Sequence, residues 1–63
     1  MKLENWKFVK LQGNTHAQGE VYGNPKHKDG NIVITSAIVM RGDGWIETQN
    51  NRYELGKEQE DTK

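Results

Sequence analysis

The sequence predicts an all-β protein: about five short antiparallel strands in a meander, curled into a strongly twisted sheet or a small open barrel. Three observations carry this. The longest apolar run, residues 32–40, is dominated by β-branched side chains, which fit a pleated strand far better than a helix. The other apolar residues alternate over short stretches, the period of half-buried strands. Clusters of glycine, asparagine and aspartate fall between these stretches, where hairpin turns need them.

The first strand is placed at residues 6–11. Trp6 and Phe8 share one face, and Val9 and Leu11 share the other with Leu3 in phase, so both faces need cover. Residues 12–16 are a polar connector. The second strand, residues 18–22, sets Gly19, Val21 and Gly23 against Gln18, Glu20 and Tyr22. Glycine inside a strand marks a bulge or a close backbone approach. The first two strands form a hairpin.

Residues 24–30 read as a loop. Pro25 fixes its own φ and holds Asn24 extended, and Asp29-Gly30 is a tight-turn pair. The third strand is residues 32–40, with Thr35-Ser36 marking a bend in mid-run. Arg41-Gly42-Asp43-Gly44 supplies the next turn, with two glycines able to take positive φ. Residues 45–49 and 52–55 are strands four and five, separated by Asn50-Asn51. The domain is expected to end at Gly56, with residues 57–63 a charged, flexible tail lacking any apolar side chain.

A chain of 63 residues is one small domain, and it buries only about 60% of its unfolded surface. Cores of this size gain from a disulfide, a metal or a partner subunit. The chain has no cysteine, and His16 and His27 lack the spacing of a zinc site. That leaves association, so a homo-oligomer, dimer or larger, is expected. Nine basic residues balance nine acidic ones, which argues against a broad basic face for duplex DNA. No apolar run is long enough to span a membrane. Met1-Lys2-Leu3-Glu4 turns polar at once, unlike a secretory leader, so the expected setting is cytoplasmic.

Motifs with chemical content are few. Arg41-Gly42-Asp43 spells an integrin-type tripeptide, but it sits where a hairpin needs those residues, and the turn reading outweighs it. His27 has no nucleophile or carboxylate at a catalytic spacing, and no enzyme activity or cofactor is expected. The loop carries Lys26, His27 and Lys28 beside glycine-bearing backbone, which can hold phosphate, although no phosphate-binding fingerprint is matched. Trp6, Tyr22, Trp45 and Tyr53 could stack on bases. Core packing is the commoner role for such rings, and Tyr22, on a polar strand face, is the best stacking candidate.

The span 19–56 resembles a family of small phage and prophage proteins with the pattern G-x-V-x-G-H-P-R-F-x-D-G, then T-S-x-I, then a hairpin closing on Y-x-L-G. The matching residues are Gly19, Val21, Gly23, Pro25, Asp29, Gly30, Thr35, Ser36, Ile38, Tyr53, Leu55 and Gly56. Asn24, Lys26 and His27 depart from it, standing for histidine, arginine and an aromatic residue. By size and phage setting the resemblance extends to small anti-defence proteins that sequester immune nucleotide signals.

Three functions follow as expectations. The first is a non-enzymatic phage-type binding protein that sequesters a nucleotide-derived signal. The second is an interaction module that inhibits a host enzyme, and the third a single-stranded nucleic-acid binder. The candidate ligand-binding residues are Tyr22, Asn24, Lys26, His27, Asp29, Thr35 and Ser36. Thr35 and Ser36 are included because hydroxyls in an apolar strand must be hydrogen-bonded or face a ligand.

Overall fold

The structure, a computed structural model, describes residues 1–60. It is all-β, with six strands: β1 (Lys2–Leu11), β2 (Asn14–Tyr22), β3 (Ile32–Ile34), β4 (Ile38–Gly42), β5 (Trp45–Thr48) and β6 (Arg52–Leu55). They form one sheet in the order β3-β2-β1-β6-β5-β4. Two antiparallel three-stranded units, β1–β3 and β4–β6, meet where β1 runs parallel to β6.

Two expectations are refined. The run at 32–40 is two strands, because it breaks at the Thr35-Ser36 bend. The meander is interrupted by one parallel pairing, Lys2 with Glu54 and Leu3 with Leu55. The sheet must also curl. Its two edge strands, β3 and β4, are joined through residues 35–37 alone, a link that reaches about 13 Å when extended. A flat sheet would hold the edges of six strands about 24 Å apart. The edges therefore come together at this corner, but no ladder pairs β3 with β4, so the barrel stays open. Thr35 N–H donates to Ala17 O and Gln49 N–H to Ala37 O, at 2.8 and 3.2 Å, tying the corner to both halves.

The core lies inside the curl. Leu3, Ala17, Val21, Ile46 and Tyr53 are buried, with Trp6, Val33, Ile38 and Leu55 packed against them.

β1 starts earlier than the alternation predicts because it contains a bulge. Asn5 has φ of 50°, and Asn5 and Trp6 together oppose Gly19 alone, between the Glu4–Glu20 and Lys7–Gln18 pairs. Glycine is needed there: a Cβ on Gly19 would lie 3.0 Å from Trp6 Cα, Trp6 Cβ and Glu4 O. The bulge turns Trp6's backbone outward. Its N–H donates to Lys57 O at 3.3 Å, and its carbonyl accepts from Gln59 N–H at 2.8 Å. Residues 57–59 thus run beside β1, whereas the tail was expected to begin at 57. Residues 61–63 of that expected tail lie outside the described residues.

Local turns follow the residue chemistry. Gln12 and Gly13, both at positive φ, close the first hairpin. Of the two glycines in the β4–β5 turn, only Gly44 uses positive φ. Gly42 instead leaves room for Trp45, whose indole occupies the place of a Cβ there.

Candidate functional site

Residues 24–30 fold as two linked turns. Asn24 O accepts from His27 N–H at 3.0 Å with Pro25 at the second position, and Asn24 Oδ1 accepts from Lys26 N–H at 2.9 Å. Gly30, at φ 89°, lets Asn31 N–H reach Lys28 O at 3.0 Å. Asp29 Oδ1 accepts from Gly23 N–H at 3.0 Å and ties the loop's ends together. The side chain of Asn24 is buried as a result, while Lys26 and His27 stay exposed.

This loop borders a cavity of about 470 Å³, within the usual range for small-molecule sites. Asn24, Lys26 and His27 line one side, Thr35 and Ser36 another, and Asn50 and Asn51 of the β5–β6 turn a third, with Tyr53 and Met1 between them. The curl is what brings them together, since the loop follows β2 and the Asn-Asn turn precedes β6.

The polar groups differ in how far they are already engaged. The Thr35 hydroxyl accepts from Ala17 N–H at 3.1 Å and donates to Ser36 O at 2.8 Å. Its carbonyl lies 2.8 Å from His16 Nδ1. Thr35 is therefore a structural clasp, with its hydroxyl used within the fold. Ser36 Oγ accepts from Asn50 Nδ2 at 2.6 Å. Thr48 shapes the opposite wall: its Oγ1 accepts from Asn51 N–H at 3.1 Å and donates to Asn51 O at 3.0 Å. The Tyr53 ring is buried, yet its hydroxyl has no hydrogen-bond partner among the described residues and is not sealed from solvent.

Five of the seven residues singled out in the sequence thus share one cavity, and Tyr22 and Asp29 lie outside it. Asp29 holds the loop. Tyr22 donates its hydroxyl to Glu20 Oε1 at 3.1 Å. That bond, and secondarily burial, raises the phenol above its ordinary range. Asn50 and Asn51 are not singled out by the sequence, and Tyr53 is named there only as one of four rings that could stack on bases. Their only sequence signals, a turn pair and a strand aromatic, say nothing of what they face.

Among the described residues no aspartate or glutamate lines the cavity, while Lys26 and His27 do. Its polar lining is amide, hydroxyl, imidazole and ammonium, which suits an anion with hydrogen-bond acceptors. Among the described residues no group of three or more His, Asp and Glu side chains could hold a metal ion.

A second cavity, about 490 Å³, is lined by Trp6, Phe8, Trp45 and Leu55 with Arg41 and Asp43 at its rim. Its cations are committed. Arg41 lies 5.1 Å from the Phe8 ring centre, and Arg52, alongside, lies 4.2 Å from that of Trp45. Trp6 Nε1 donates to Gly56 O at 3.1 Å. Trp45 is partly buried.

No protein-family model matches the chain, and no curated protein or solved structure matches it either.

Proposed function

We propose that the protein is a non-enzymatic binding protein that takes a small phosphate-bearing, nucleotide-type ligand in the cavity between residues 24–27 and Asn50-Asn51. The observation that carries this is a donor-rich lining, with Lys26 and His27 at the rim and no carboxylate among the described residues. A phosphate would take Lys26 Nζ as a charge-assisted donor. His27 offers an exposed ring for a base, and the Tyr53 hydroxyl a donor inside. Tyr22 drops out as the stacking residue, because its phenol is tied to the Glu20 carboxylate, which repels phosphate. The resemblance to small phage proteins supplies the setting: sequestration of a nucleotide-derived immune signal in the host cytoplasm.

One observation favours a second reading, an interaction module that inhibits a host enzyme. Ile32, Val39 and Met40 are 69%, 60% and 56% exposed, which is high for apolar side chains of so small a domain.

Calorimetry against mono-, cyclic and oligonucleotides, with the parent beside Lys26→Ala, tests the first reading. The parent binds a member of the panel, and Lys26→Ala weakens it while leaving the melting temperature unchanged. A folded parent silent across the panel would overturn the nucleotide reading in favour of the enzyme inhibitor.

A further inference from the structure

The two edges of the sheet are not equivalent. In an antiparallel pair, alternate residues direct both N–H and C=O toward the same neighbour. On β3 these are the odd residues: Val21 N–H donates to Asn31 O at 2.9 Å, Gly19 pairs with Val33, and Thr35 N–H donates to Ala17 O at 2.8 Å. Ile32 and Ile34 therefore turn their N–H and C=O away from β2, and no backbone bond meets them among the described residues. Their side chains are also open, 69% and 52% exposed. β3 contains no proline, lysine or bulge to blunt it. The β4 edge is interrupted by a bulge between Ile38 and Met40, which breaks the regular row of donors and acceptors.

We infer that β3 is the edge through which two copies of this chain join, antiparallel, about a two-fold axis through Val33. That register is self-complementary. It sets Ile32 opposite Ile34 of the second copy, and the reverse, so the free backbone groups of both residues pair in each direction. The four isoleucines then meet on the outer face, flanked by Gln18 and Glu20, their register neighbours on β2. The two Glu20 residues end up three strand spacings and two residues apart, about 16 Å, beyond the Debye length at physiological salt. Gln59 and Glu60 also border Ile32 on that face, and the chain's net charge is zero. Val33 and Ile34 also line the donor-rich cavity, so the second copy would border its open side. The inference itself stands without the nucleotide reading. Edges of three residues bury less than the roughly 1,200 Å² typical of stable complexes, so the dimer is weak and concentration-dependent.

Sedimentation equilibrium of the full chain without ligand, up to about 1 mM, reads this directly, apart from any nucleotide binding. The parent is expected to pass from monomer to dimer. Ile34→Pro removes an outward N–H that β2 does not use, and Ile32→Lys places a charge on the join. Each should weaken association at least about tenfold, the effect of 1.4 kcal/mol, with the circular dichroism spectrum retained. Val39→Lys on the other edge should leave it unchanged. The register has its own test. A Val33→Cys chain, the only cysteine in the molecule, should cross-link to itself under mild oxidation, since facing non-hydrogen-bonded residues lie about 4.5 Å apart. A parent that stays monomeric throughout, or a dimer indifferent to both β3 variants, would overturn the proposal. Failure of Val33→Cys to cross-link, with association intact, would overturn the register.

Discussion

The two cavities are almost equal in size, about 470 and 490 Å³, and opposite in character. At the aromatic cleft two cations and one indole are engaged: Arg41 and the neighbouring Arg52 lie over rings, and Trp6 Nε1 holds the carbonyl of Gly56. These contacts tie β1 to β4 and to Gly56 after β6, and β5 to β6. In the cavity beside residues 24–27 the walls are secured by Thr35, Thr48 and Asn24, while the Lys26 and His27 side chains and the Tyr53 hydroxyl have no partner among the described residues. Volume does not separate a site from a seam; the state of the polar groups does. Groups already paired within the fold stabilise it, and groups held in place but unpaired are available to something else.

That contrast makes substitutions in the two regions fail differently. Ile46 is fully buried in the core and lies under the aromatic cleft. Ile46→Ala is expected to cost about 2–5 kcal/mol of stability, enough to populate the unfolded chain. Denaturant titration reads it, and any molecules still folded should keep the parent's ligand affinity. Lys26→Ala should do the reverse, lowering binding free energy by about 1.5–3 kcal/mol in calorimetry with no change in the denaturant midpoint. If Lys26→Ala destabilised the fold instead, the distinction between the cavities would collapse.

Arg52→Ala probes the seam more gently. It removes the guanidinium over Trp45 and should cost about 0.5–1 kcal/mol, with a change in tryptophan fluorescence. An unchanged melt would show that the arginine merely rests there. The smallest effect belongs to Glu4, whose carboxylate packs on Gly56, accepts from Lys57 N–H at 2.8 Å and lies 3.2 Å from Lys2 Nζ. The Lys57 bond first, and then Lys2, hold this acid below its ordinary value. A lowered folded value gives stability that is present above the unfolded value and lost as pH falls through the folded one. Acid titration of the parent should therefore show a loss, from about pH 5 downward, that Glu4→Gln lacks.

What could be read in advance divides along the same physical line. Turns are local, so the Asn24-Pro25 and Asp29-Gly30 turns, and the break in the apolar run at Thr35-Ser36, were legible from the residues themselves. Strand alternation set Gly19 and Val21 on one face of β2, and that face is the buried one. The bulge at Asn5 was not legible from β1, because it depends on Gly19 standing opposite. The parallel join of Lys2 with Glu54 pairs strands far apart in sequence, and no local side-chain pattern announces it. The site divides similarly. Asn24, Lys26 and His27 lie on one loop and were found together, whereas Asn50, Asn51 and Tyr53 reach the cavity only through the curl. Tyr22 precedes the loop and Asp29 lies in it, but Tyr22 is tied to Glu20 and Asp29 to Gly23, and Thr35 lines the cavity with its hydroxyl already used.

The parallel join at the middle of the sheet also has a consequence during synthesis. β1 is made first and β6 last, yet they lie side by side. About 20 residues separate the end of β3 from the end of β6, which at about 5–20 residues per second leaves one side of β1 without its partner for about 1–4 s. In that interval the nascent chain presents an open strand to its surroundings. The kink at Asn5 interrupts the row of donors and acceptors that a passing strand would need. The bulge that seats Trp6 in the finished protein thus also shields the unfinished one.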